Sequence, residues 1–223
     1  MKVFLYDNDF NLTNYLNALE SVGITPVLSK KIENSKNCDA LVLTGGGNMS
    51  PVFYGVTPGL YDLYDLETDA REFFLLNNFY YQNKKVLGIC KGLQIINVYF
   101  GGTISFIDKN VNPTHYSLKG DLFHNVTFYN NKKLNVNSMH KQQIELIGKN
   151  LEIVAKSDDG VIEAISADNN RIFGTQFHPE RMSEAFTKNF FNWFFTKTNK
   201  LFRYHFAPNG CFFNKLFVVF SAF

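Results

Sequence analysis

Three short stretches of this chain carry residue types whose spacing can do acyl-transfer chemistry. The first is Val86-Leu87-Gly88-Ile89-Cys90-Lys91-Gly92-Leu93-Gln94. Val86 to Ile89 suits a buried parallel strand, and Leu93, Ile95, Ile96 and Phe100 then recur with helical spacing. Cys90 therefore falls at a strand-to-helix turn. Gly88 and Gly92 flank it where such an elbow needs close backbone approach, and the helix start directs N–H groups and a positive dipole end at the sulfur. That setting favours thiolate, and so a nucleophile. A buried structural cysteine is the alternative, made less apt by the paired glycines.

A thiolate attacking an amide needs a proton acceptor. The candidate lies in Phe173-Gly174-Thr175-Gln176-Phe177-His178-Pro179-Glu180, at the end of a strand-like run. Alternation with period two would put His178 and Glu180 on one face, where the carboxylate orients the imidazole. A His-Pro-Glu tripeptide alone is weak evidence, since a histidine at a strand end is often a plain surface group. The third stretch, Leu41-Val42-Leu43-Thr44-Gly45-Gly46-Gly47-Asn48, is an apolar β-rich run that breaks into three glycines. Backbone N–H groups in such a loop can receive a developing oxyanion, with the N–H of Lys91 as the natural second donor. Phosphate binding competes, but no Gly-Lys-Ser/Thr follows and the triplet lacks the spacing of a dinucleotide fingerprint.

These motifs together resemble the class I glutamine amidotransferases. The Thr44-Gly45-Gly46-Gly47-Asn48-Met49-Ser50-Pro51-Val52-Phe53-Tyr54-Gly55 loop narrows the resemblance to the stand-alone γ-glutamyl hydrolases, the branch that includes γ-glutamyl-γ-aminobutyrate hydrolase. Val136-Asn137-Ser138-Met139-His140-Lys141-Gln142 and Asp158-Asp159-Gly160-Val161-Ile162-Glu163-Ala164 are similar to two further segments of that branch. The resemblance runs from about Val3 to Phe195 and implies a flavodoxin-like fold. It implies a Cys90-His178-Glu180 triad, an oxyanion hole from Gly46 and Lys91, and a small-molecule γ-glutamyl substrate held by Gln94, Ser138, Met139 and His140. Without the resemblance, Gln94 reads as an ordinary polar helix position and His140 as a hydrogen-bonded loop residue. Asn48, Lys141 and Thr68 stand where the branch has an acidic residue, a histidine and an arginine; these departures bear on the leaving group, not on the triad.

Around these segments, strands are expected at Lys2 to Tyr6, Ile24 to Leu28, Ala40 to Leu43 and Lys85 to Ile89, with helices at Leu12 to Val22 and Glu67 to Tyr81. Such alternation is the pattern of an α/β, doubly wound, mostly parallel sheet. Further strands, some antiparallel, are expected around Val126 to Phe128, Leu151 to Ala155, Val161 to Ser166 and Arg171 to Gln176, and Phe186 to Phe195 reads as an aromatic helix packed on the sheet. Ligands then belong at the carboxyl ends of the strands, where Gly45 to Gly47 and Cys90 fall.

At 223 residues with 45% apolar and 19% charged content, the chain can bury a core without disulfides or metals, and we expect one catalytic domain over residues 1–200. Residues 201–223 form a phenylalanine-rich extension: a packed tail, a docking segment or a disordered end. Its apolar run Leu216 to Phe220 is too short to span a bilayer. Three cysteines, Cys38, Cys90 and Cys211, show no paired spacing, which suits a reducing compartment. The N-terminus lacks a signal sequence's apolar core, so a cytoplasmic protein is expected. A net charge of +2 with scattered lysines argues against nucleic acid, and no metal motif or cofactor fingerprint is legible. Self-association into a homodimer is left open.

Three functions stay in view: a cysteine hydrolase of γ-glutamyl amides, a glutaminase subunit passing ammonia to a separate synthetase, and, least favoured, a non-catalytic binding module. Leaving groups in the hydrolase branch include γ-aminobutyrate and nucleotide-linked amidates for surface polysaccharides. A phosphorylated one would find Lys91 and Lys141 as candidate contacts.

Overall fold

The computed structural model describes residues 1–57, 64–108 and 114–196. The extension at 201–223, Cys211 and His205 lie outside them. Eleven strands and four α-helices make up this part in the order β1 (Lys2–Tyr6), α1 (Thr13–Glu20), β2 (Thr25–Ser29), β3 (Ala40–Leu43), α2 (Leu66–Tyr81), β4 (Lys85–Ile89), α3 (Lys91–Tyr99), β5 (Thr103–Phe106), β6 (Leu122–Phe128), β7 (Lys133–Ser138), β8 (Gln142–Leu146), β9 (Glu152–Ser157), β10 (Ile162–Ala167), β11 (Ile172–Thr175) and α4 (Glu184–Thr196).

Nine strands form one sheet in the order β2-β1-β3-β4-β11-β10-β9-β6-β7. The run from β2 to β11 is parallel, and the remaining pairings are antiparallel. The central strands Ala40–Leu43 and Val86–Ile89 are buried throughout, because both faces of this half are covered and continuous apolar runs are what such a position requires. Alternation still assigns the faces. Val3, Leu5, Val42, Leu87, Ile89 and Phe173 point to one core, shared with α1 and α4; Phe4, Leu41, Leu43 and Val86 point to the other, with α2 and α3. The doubly wound α/β architecture expected from sequence is the one found.

Helix α4 carries the aromatic stripe. Phe186, Phe190, Phe191, Phe194 and Phe195 are buried, and Trp193 meets Phe173 edge-to-face at 5.0 Å between ring centroids. Each fully buried ring contributes about 1.5–3 kcal/mol of transfer free energy. The short ribbon β5–β8 stands apart from the main sheet. Strands β5, β7 and β8 were not expected: β5 is only four residues long, Asn, Lys and Gln mask the period of β7 and β8, and pairing of β7 with β6 and of β5 with β8 supplies what propensity does not.

Register brings the functional loops to one level. Leu43 of β3 pairs with Gly88 of β4, and Ile89 pairs with Thr175 of β11, so the glycine loop, Cys90 and the segment leading to His178 all leave the sheet at the carboxyl edge.

Candidate active site

Cys90 sits between β4 and α3 with φ 54° and ψ −105°, a backbone conformation that non-glycine residues adopt only when their surroundings force it. The forcing contacts are evident. Its N–H donates to the Thr175 carbonyl at 2.7 Å, while its own carbonyl accepts from Leu93 and Gln94 as the first bonds of α3. The flanking glycines are obligatory: a Cβ on Gly92 would lie 2.1 Å from the Leu43 carbonyl oxygen, and one on Gly88 would lie 2.5 Å from Gly92 backbone. The elbow thus packs backbone against backbone, as the paired glycines imply, and aims a buried thiol over the free N–H end of a helix.

His178 and Glu180 are also buried, and His178 Nδ1 is 2.7 Å from Glu180 Oε1. The pairing arises differently from the expected strand alternation. Strand β11 ends at Thr175, and Pro179 opens a 3-10 turn over Pro179–Arg181 that folds the carboxylate back onto the ring. Proline has no N–H to continue a ladder and its fixed φ starts a helical turn, so the segment turns where alternation would have run on. With Nδ1 held by Glu180, Nε2 is the nitrogen left for Cys90, whose thiol is in hydrogen-bonding reach. Burial works against a charged imidazole here, but the negative charges of Glu180 and Cys90 outweigh it and push His178 up to about 10. The arrangement therefore keeps a proton on the imidazole at neutral pH, facing the Cys90 sulfur.

Two residues that sequence reasoning missed set this geometry. Asn137, at the end of β7 and wholly buried, donates from Nδ2 to the His178 carbonyl at 3.0 Å and accepts from the His178 N–H at 2.9 Å. Tyr15 of α1 accepts the Gly45 N–H at 2.9 Å through its hydroxyl. Asn137 lies inside a recognised motif; Tyr15 gives no local signal beyond its place on the inward face of a helix.

The glycine loop is pinned from several sides. Asn8 donates to Thr44 Oγ1 and to the Gly45 carbonyl, Gln142 clamps Met49 by accepting its N–H at 2.8 Å, and the Ser50 N–H donates to Asp69 at 2.7 Å. Gly45 lies so close to His178 and Cys90 that a Cβ there would sit 3.1 Å from His178 Cε1 and 3.7 Å from Cys90 Cβ. Because Tyr15 takes the Gly45 N–H, the next amide in line is that of Gly46. Lys91 is the first residue of α3, so its N–H has no acceptor within the helix.

The side chain of Lys91 is engaged in an ion-pair triad. Its ammonium is buried, 2.6 Å from Asp69 and 2.9 Å from Glu72. Burial pushes Lys91 toward the neutral amine, but the two carboxylates outweigh it and raise its pKa. Asp69 and Glu72 lie one turn apart on the inward face of α2, and their charges need this cation because neither is hydrated. Lys141 is exposed, its ammonium 4.6 Å from the Tyr116 ring centroid.

Of the residues expected at the substrate, Gln94 is buried and spends its amide N–H groups on the Gln142 carbonyl at 3.1 Å and Gln176 Oε1 at 3.2 Å. Ser138 and His140 are likewise turned inward: Ser138 Oγ donates to the His115 carbonyl, and His140 Nδ1 faces the Gln142 carbonyl at 3.0 Å. Met139 Sδ accepts from Arg181 at 3.7 Å. The segment adjoins His178 through Asn137.

A strained cysteine elbow, a carboxylate-oriented histidine and a glycine loop at the carboxyl edge of a doubly wound sheet define a class I glutamine amidotransferase-like protein. The Peptidase C26 model matches residues 9–180, and the chain belongs to that family. It is 32% identical over 205 residues to a glutamine amidotransferase-like protein of Lactococcus lactis, covering 81% of this chain and 86% of that one. Over 154 residues it is 25% identical to one component of the glutamine-hydrolysing GMP synthase of Methanocaldococcus jannaschii, covering 68% and 69% of the two chains. The structure of a GMP synthase component from Thermoplasma acidophilum shares the fold, with a TM-score of 0.66 and 18% identity over 87% of this chain and 92% of that one. No helix among the described residues is long and apolar enough to cross a membrane.

Proposed function

We propose that this protein hydrolyses the γ-amide bond of γ-glutamyl compounds through a covalent thioester, with Cys90, His178 and Glu180 as its catalytic triad. The observation that carries the reading is the buried Cys90–His178–Glu180 alignment on a strained elbow. The Cys90 thiolate attacks the γ-carbonyl carbon, and the N–H groups of Gly46 and Lys91 receive the oxyanion. His178 gives its proton to the departing amine as the tetrahedral intermediate collapses to a γ-glutamyl thioester. Water then loses a proton to His178 and attacks the thioester, releasing glutamate and restoring the thiolate–imidazolium pair.

A cavity of about 290 Å³ flanks the glycine loop, lined by Asn8, Phe10, Asn48, Asp65, Thr68 and Lys91 among others, and is the place assigned here to the leaving group. The charge of Lys91 is already offset by Asp69 and Glu72, so the lining offers aromatic and neutral polar contact beside the Asp65 carboxylate and no uncompensated cation. It suits a neutral or amine-bearing leaving group better than a phosphorylated one.

The second reading, a glutaminase component supplying ammonia to a separate synthetase, is favoured by the likeness to the GMP synthase components. Glutamate release from glutamine, γ-glutamyl-γ-aminobutyrate, a γ-glutamyl peptide and a γ-glutamyl phosphoramidate nucleotide separates them, with Cys90→Ala as control. Turnover of a substituted γ-glutamyl amide with glutamine nearly inert supports the hydrolase. Turnover of glutamine alone supports the glutaminase component, and undiminished turnover by Cys90→Ala overturns both.

A further inference from the structure

Behind the Asn137–His140 segment lies a second polar cluster that the triad does not use. We propose that His115, His124, His140 and Glu163 form a buried binding site for one divalent transition-metal ion of the zinc class.

Four donor atoms converge there from four separate stretches of chain. His124 Nε2 is 3.2 Å, His115 Nδ1 3.5 Å and His140 Nε2 3.7 Å from one oxygen of Glu163, and His115 Nδ1 is 3.2 Å from His140 Nε2. Donor atoms of His115, His124 and Glu163 all lie within 4.8 Å of one another. Zinc bound at about 2.0–2.1 Å by nitrogen and oxygen donors places tetrahedral neighbours about 3.3 Å apart, the scale of the four separations given; His140 lies outside the set in which every donor is within 4.8 Å of the others.

The outer contacts match a ligand shell. His115 Nε2 is held by Asp159 Oδ2 at 2.9 Å, and His140 Nδ1 by the Gln142 carbonyl at 3.0 Å. Each of these imidazoles is thus fixed through one nitrogen by an oxygen acceptor and presents the other inward, as metal-ligating histidines do. Glu163 is wholly buried, yet neither of its oxygens has an aligned hydrogen bond among the described residues, and the same holds for both ring nitrogens of His124. A buried carboxylate without aligned donors costs several kcal/mol unless a cation compensates it.

Proton counting leads to the same need. The chain Asp159···His115···His140···Gln142 has three hydrogen bonds and needs three ring protons, where two neutral imidazoles bring two. A metal ion between His115 and His140 removes the need for the middle proton; a shared extra proton is the competing occupant. Ligands from the loop before β6, from β6, from the turn after β7 and from β10 make no linear sequence motif, so sequence spacing is silent about the site.

The test uses the full-length Cys90→Ala protein, which removes the thiol as a rival ligand and makes the result independent of the proposed activity. After chelator stripping and a check that the protein remains folded, zinc(II) and cobalt(II) are titrated in. One equivalent of zinc per chain is expected, with the visible ligand-field bands of tetrahedral cobalt(II). Zinc at a hundredfold excess over Kd should raise Tm by about 5 °C or more. His124→Ala and Glu163→Gln, introduced separately, should weaken zinc binding at least ~100-fold, and Asp159→Asn ~10–100-fold. A stripped, folded Cys90→Ala protein that binds neither ion overturns the proposal and leaves the shared proton as occupant. Equally tight binding in a folded His124→Ala variant overturns it too.

Discussion

Asn137 grips both hydrogen-bonding groups of the His178 backbone, accepting its N–H at 2.9 Å and donating to its carbonyl at 3.0 Å across 41 residues of sequence. The clamp fixes the main chain from which the imidazole hangs, just where β11 has ended and no ladder bond remains to hold it. Replacing Asn137 by Ala leaves a buried N–H and C=O unpaired and should cost roughly 1–3 kcal/mol of stability. An imidazole displaced by ~1 Å should lower kcat about a hundredfold with a smaller change in KM. Denaturant unfolding and steady-state kinetics on the same preparation check the pair.

Glu180 sets the basicity of His178. The folded-state pKa is raised to about 10, above the ordinary 6.5, so the contribution of this pair to stability is fully present below 6.5 and is lost as pH rises toward 10. The alkaline limb of kcat/KM should accordingly lie near 10 in the native protein. Glu180→Gln removes one of the charges responsible and should bring that limb down by about 1–3 pH units. A pH–rate profile of the variant measures the shift; an unmoved limb would show that the carboxylate does not tune the imidazole.

Lys91 neutralises two buried carboxylates, so Lys91→Met should destabilise the protein by about 3–5 kcal/mol. Adding Asp69→Asn and Glu72→Gln removes the stranded charges and should recover most of that loss. Urea midpoints of the single and triple variants decide it. Recovery identifies charge compensation, and no recovery would assign the loss to packing of the lysine stem.

The elbow glycines differ sharply from their neighbour in the loop. A Cβ at Gly92 meets the Leu43 carbonyl oxygen at 2.1 Å, so Gly92→Ala should cost about 3 kcal/mol or prevent folding. At Gly47 the nearest atom is 3.9 Å away, and Gly47→Ala should change stability by less than about 1 kcal/mol. Thermal melts of the two variants give the comparison directly.

Local chemistry was legible in the chain alone. Apolar runs identified the central strands β1, β3 and β4, because strands covered on both faces have no polar positions. Paired glycines around Cys90 announced the elbow, since only glycine admits backbone at 2.1 to 2.5 Å from a would-be Cβ. The three segments that meet around Cys90 were therefore identified, though not how two of their residues meet: a proline-started turn, not strand alternation, brings Glu180 to His178.

What the sequence could not determine was which polar side chain answers which. Lys91 reads as a surface cation until α2 places Asp69 and Glu72 against it, and Asn137 reads as part of a substrate motif until β7 brings it beneath His178. His115, His124, His140 and Glu163 are scattered over 49 positions and become one cluster only when β6, β7 and β10 enter the same sheet. Apolar burial depends on period and composition, which are written locally. Compensation of a buried charge depends on a partner within about 4 Å, and only the completed tertiary structure supplies it.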